Sequence, residues 1–136
     1  EFGLTVVAPK LDYYASGGST QLFLSLSEQI NKLRIEGIIG SSFGGFMGFY
    51  LSSKFNIPAY LFNPALHSRA IDVKVEYPKN YPHKVIFLGR HDDVIDPERT
   101  KKFLVDHDHK NYFVVEEDFG HAVPVEVFRE LLRRYM

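Results

Sequence analysis

No cysteine occurs among the 136 residues. That excludes a disulfide framework, a thiol nucleophile and any thiolate metal site. Long apolar runs are missing too, and none approaches the ~20 residues that a membrane-spanning helix needs. Nor is there an excess of charge of one sign. Sixteen Lys and Arg face 17 Asp and Glu, for a formal net charge of −1. Phosphate backbones and anionic lipid surfaces need concentrated positive potential, so the composition offers no case for nucleic acid or membrane binding. Tryptophan is absent, but 12 Phe and 8 Tyr within a 45% hydrophobic composition supply ample material for a core. This balance excludes disorder, collagen-like repeats and coiled coil, and the length fits one domain spanning residues 1–136.

Strand-like and helix-like segments alternate, which predicts an α/β fold with a mainly parallel sheet flanked by helices. Residues 4–8 are β-branched and stopped by Pro9, and read as a buried strand. Residues 13–20 form a Gly/Ser loop ending in a helix cap, and 21–34 carry Leu22, Phe23, Leu26, Ile30 and Leu33 at helical spacing. Residues 37–40 read as a very short strand, 44–54 as an aromatic-rich helix, and 59–62 and 85–88 as buried strands. Asp96 caps a helix whose first turn holds Pro97 and which runs to about Val105. Residues 112–115 are the last strand, and Pro124 opens the last helix. The stretch 66–82 has neither period, and irregular segments of that length often border a site.

The strongest chemical signal is Gly40-Ser41-Ser42-Phe43-Gly44. Between a strand and a helix, G-x-S-x-G forces its middle residue into a tight strained turn and leaves the hydroxyl at the strand's C-terminal end. Here Ile38-Ile39 precede the motif and a helical stretch follows, so Ser42 is the candidate nucleophile. The Phe43 N–H becomes a candidate oxyanion donor. A serine hydroxyl needs a base, and the base needs an orienting carboxylate. Asp92 follows the strand at 85–88, and His121 follows the strand at 112–115. All three positions then fall on one edge of one sheet in the order Ser, Asp, His. Asp93 competes with Asp92 for the role of acid, while Asp96 is better used as a cap. His91 is a poorer base because it precedes the last strand. The run Asp106-His107-Asp108-His109 suggests metal ligands, but alternating polar residues at a helix end more simply form a solvated turn, and no metal site is expected. Tyr13, Tyr14 and His67, with Phe43 and the 66–82 stretch, are candidates for a pocket wall.

These residues, together with Leu61-Phe62-Asn63-Pro64-Ala65, Asp92-Asp93-Val94-Ile95-Asp96 and Gly120-His121, resemble the YqiA/YcfP-like esterases of the α/β-hydrolase superfamily. The likeness runs from about Thr5 to the C-terminus. It implies a small cytosolic hydrolase of ester substrates that needs no cofactor and has no large cap domain, with Ser42, Asp92 and His121 as catalytic triad. It leaves the natural substrate and the oligomeric state open. A non-catalytic ligand- or protein-binding relative, or a thioesterase or acyltransferase using the same triad, are the alternatives. Such proteins begin with a strand and a His-Gly loop that supplies a second oxyanion donor, whereas this sequence opens on Glu1 past both. The resemblance therefore implies an N-terminally truncated domain, with roughly 25–40 residues upstream, enough for one β–α unit. Folded without that unit, residues 4–8 and 37–41 are expected to pair directly.

Overall fold

The structure is a computed structural model that describes residues 3–11, 18–71, 83–107 and 109–136. Four strands, β1 (Ile38–Ser41), β2 (Ala59–Phe62), β3 (Lys84–Gly89) and β4 (Tyr112–Glu117), form one parallel sheet in the order β1-β2-β3-β4. Four helices accompany them: α1 (Gly18–Lys32), α2 (Phe43–Phe55), α3 (Pro97–Asp106) and α4 (Val125–Tyr135). Consecutive parallel strands that advance in one direction need right-handed crossovers, so the connecting helices α2 and α3 lie on the same face.

Side-chain alternation along the strands divides the core in two. Ile38, Ala59, Leu61, Ile86, Leu88 and Val114 face α1, α2 and α3, where Phe23, Phe46, Phe49 and Leu104 complete one cluster. Phe62, Val85, Phe87 and Val115 face the other way, onto Leu131, Leu132 and Phe128 of α4. The Phe62 ring sits 4.4 Å from Phe87 and 4.7 Å from Phe128, centroid to centroid. The expected parallel α/β architecture is therefore present. No helix among the described residues is long and apolar enough to cross a membrane.

Two expectations fail at the front of the chain. Residues 4–8 form no strand and do not pair with β1. Leu4, Val6 and Val7 are 53%, 78% and 52% exposed, and Ile39 on β1 is 45% exposed. β-Branched composition makes a strand only where a neighbouring ladder takes up the backbone N–H and C=O groups, and here none does. The outer edge of β1 is thus open among the described residues. The second correction is smaller: α1 begins at Gly18, so Ser19 and Thr20 lie inside its first turn and not in a preceding loop.

Asp96 caps α3 as its sequence position suggests, accepting the Glu98 N–H at 2.9 Å. The surprise is Lys84, which opens β3 and is 2% exposed. Its Nζ lies 5.0 Å from the centre of the Phe49 ring. Burial pulls its pKa from the usual lysine range down to about 8. At pH 7 the folded and unfolded chains both carry this charge, and the folded state bears the full desolvation cost. Lys84→Met should therefore raise stability at pH 7 by about 2–3 kcal/mol. The unfolded chain binds more protons between about pH 8 and the ordinary lysine pKa, so wild-type stability rises with pH across that window and the gain shrinks. Urea denaturation at pH 7 and pH 10 measures both effects.

Candidate active site

Ser42 joins β1 to α2 with φ 52° and ψ −116°, a conformation that L residues rarely adopt. Such strain persists only when its surroundings enforce it. Here the Ser42 N–H donates to the Phe62 carbonyl at 2.9 Å, and its own carbonyl accepts from Phe46 and Ala65, both at 3.0 Å. The glycines of the motif make the crossing possible. A Cβ on Gly40 would stand 2.4 Å from the Gly44 carbonyl oxygen, and one on Gly45 would stand 2.9 Å from the Pro64 Cα. Gly44 is under less pressure, since a Cβ there would meet only a Leu11 methyl at 3.4 Å. Gly40→Ala is accordingly expected to cost about 3 kcal/mol, against less than about 1 kcal/mol for Gly44→Ala, by urea denaturation. Equal costs would contradict this account of the turn.

Asp92 lies just past β3 with its side chain fully buried. One carboxylate oxygen, Oδ1, accepts the N–H groups of Val94 at 2.8 Å and Ile95 at 2.9 Å. The other, Oδ2, faces His121 Nδ1 at 2.9 Å, with Oδ1 at 3.1 Å from the same nitrogen. A carboxylate can only accept, so Nδ1 carries the proton and Nε2 is left as an acceptor. His121 follows β4, and its side chain is 27% exposed. The competing residues point elsewhere. Asp93 is exposed, and His91 sits 3.4 Å from Asp118 on the outer surface. There the neighbouring Arg90 guanidinium holds the Asp118 carboxyl below its usual range.

Asn63, which the sequence offers only as part of a shared pattern, holds these loops together. It is 1% exposed with φ 42°. Its Oδ1 accepts the Gly89 N–H at 2.8 Å, and its Nδ2 donates to the carbonyls of Gly120 and His121 at 3.0 and 3.2 Å. One amide thus ties the end of β2 to the end of β3 and to the histidine loop. An asparagine directly before Pro64, at a strand's C-terminal end, is the available signal in sequence.

Ser42, Asn63, Asp92 and His121 consequently occupy the same C-terminal edge of the sheet, one after each strand. Asp92 and His121 are in direct contact. Ser42 Oγ makes no hydrogen bond among the described residues, to His121 or to any other group. Phe43 is 3% exposed and begins α2. His67 lines a groove of ≈ 830 Å³ between α2, α3 and residues 66–71. Tyr13 and Tyr14 lie outside the described residues, as do residues 72–82 of the irregular stretch and Asp108. His107 and His109 are used in packing. Their rings lie against Phe103 at 4.2 and 5.5 Å, and His109 meets Phe49 edge-on at 4.8 Å. No group of three or more potential metal-binding side chains gathers among the described residues.

Comparison with curated proteins returns no significant match. Among solved structures the chain is similar to Zea mays acyl-protein thioesterase 2, with a TM-score of 0.62 and 15% sequence identity. That alignment covers 93% of this chain and 68% of the maize chain, and it shows a shared α/β-hydrolase fold. A family model described as "Uncharacterised protein family (UPF0227)" matches residues 4–71, half of the chain. The chain therefore belongs to UPF0227, the YqiA/YcfP-like esterase family that its motifs resemble.

Proposed function

We propose that the chain is a serine hydrolase that cleaves a carboxylic ester through an acyl-enzyme intermediate. The observation that carries this reading is the buried Asp92–His121 pair on the same sheet edge as the strained Ser42 turn. Ser42 Oγ attacks the ester carbonyl carbon while His121 Nε2 takes the hydroxyl proton. Asp92 keeps the imidazole in the required tautomer and stabilises the imidazolium. The Phe43 N–H, at the positive end of α2, stabilises the oxyanion. Collapse of the tetrahedral intermediate breaks the bond to the alcohol, which leaves with the proton from Nε2. Water, activated by the same nitrogen, then releases the acid and restores Ser42.

A chain-length series of p-nitrophenyl esters tests the reading. Saturable hydrolysis, faster than in buffer by several orders of magnitude, is expected, and rates equal to buffer for every member would contradict it. The fold shared with an acyl-protein thioesterase makes thioester cleavage the second reading. The two separate on the ratio of kcat/KM for oxygen and sulfur esters of the same acyl group.

A further inference from the structure

The ≈ 830 Å³ groove between α2 and α3 is lined by Tyr50 of α2, by His67 and Arg69, and by Arg99, Lys102 and Asp106 of α3. Ser42, Phe43, Asp92 and His121 do not line it, and residues 65–69 connect the two places. The Ala65 N–H bonds the Ser42 carbonyl at 3.0 Å, and Leu66 and His67 follow directly into the groove. The Arg69 guanidinium carbon lies 4.9 Å from the centre of the Phe43 ring, so it stands over the residue next to Ser42. Three cations therefore converge on one concavity. Lys102 is paired with Asp106. Arg69 and Arg99 have no carboxylate within ion-pair distance among the described residues. Asp106, which also lines the groove, offsets Lys102 and leaves the two guanidinium groups in excess, and an anion bound between them relieves their mutual repulsion. His67 adds a second observation, because its Nδ1 is buried with no hydrogen-bond partner. Burial, with Arg99 next, holds the imidazole below its ordinary range, while Asp96 pulls the other way. The lowered pKa favours the neutral ring, and its Nδ1 is an unsatisfied polar atom in the groove wall.

We infer that this groove receives an anionic group, carboxylate or phosphate, carried by the ester substrate, with Arg69 and Arg99 as its principal contacts. The inference rests on the hydrolase reading above and names its substrate class. Guanidinium groups suit this task because their planar forks match both anions.

The test compares three p-nitrophenyl esters of matched length, with acyl chains ending in a methyl, a carboxylate or a phosphate. At low ionic strength, kcat/KM for at least one anionic ester should exceed that of the neutral one by about tenfold or more. The preference should fall in 0.5 M salt and disappear in the Arg69→Gln/Arg99→Gln variant, while Arg34→Gln, exposed and remote, retains it. Which anionic ester is favoured assigns carboxylate or phosphate. Binding of glutarate and inorganic pyrophosphate to the Ser42→Ala protein, followed by calorimetry, keeps the two readings apart. Hydrolysis without anion preference or anion binding overturns the groove and leaves the hydrolase standing. Anion binding that needs both arginines, with no ester hydrolysed, overturns the hydrolase and leaves the groove as an anion site. A preference that survives loss of both arginines also overturns the groove assignment.

Discussion

Ser42→Ala should reduce kcat/KM for activated esters by on the order of 10⁴ or more while leaving the fold unchanged. The two halves of this expectation have separate causes. Catalysis is lost because the acyl group has no oxygen to bond to, and the remaining groups can only bind substrate and polarise its carbonyl. Stability is kept because Ser42 Oγ makes no hydrogen bond among the described residues, so truncation strands no partner. Alanine retains a Cβ, so the strain at φ 52° remains as it was. Ser42→Gly sharpens the point. Glycine adopts positive φ without penalty, so this variant should be equally inactive yet more stable by about 1 kcal/mol. A serine kept at a position where glycine is more stable is what stored strain at a reacting group predicts. Steady-state kinetics and urea denaturation of the two variants read both quantities.

Asp92→Asn carries the second large effect, a fall in kcat of about 10³–10⁴. The substitution changes one donor–acceptor relation and little else. The Asn carbonyl oxygen can still accept the Val94 and Ile95 N–H groups that Oδ1 accepts at 2.8 and 2.9 Å. The amide NH₂ then occupies the place of Oδ2, 2.9 Å from His121 Nδ1. Two donors cannot face each other, so the imidazole moves its proton to Nε2 and can no longer act as base toward Ser42. Asp93→Asn, on an exposed carboxyl beside it, should change kcat less than about twofold. A reversal of these two effects would assign the acid to Asp93.

Much of this site could be read from sequence because its signals are local. The spacing of Gly40, Ser42 and Gly44 between Ile38-Ile39 and an apolar helix marks a turn whose geometry is set by neighbouring residues. Asp92 and His121 fall just after recognisable strands, and parallel order alone brings strand ends to one edge. What escaped depends on distant partners. Residues 4–8 have strand composition, but a strand is a relation between two chains, and these residues do not pair with the open edge of β1. Asn63 acts on carbonyls 57 and 58 positions away, a contact that no window of sequence contains. Lys84 is a charged residue at the start of a strand, and only the structure, with Nζ set over the Phe49 ring, reveals its burial. The cationic groove likewise joins Arg69 to Arg99, thirty positions apart, through the packing of residues 66–71 against α3.

The central claim is that Ser42 is an activated nucleophile served by His121. Labelling of the intact protein with a fluorophosphonate tests it most directly, because the reagent bonds fastest to a serine oxygen whose proton a neighbouring base removes. The account predicts a single adduct, mapped by peptide mass to Ser42, formed quickly in the wild type, slowly in His121→Ala and never in Ser42→Ala. A wild-type protein that stays unlabelled, or labels at another residue with Ser42 intact, would contradict it.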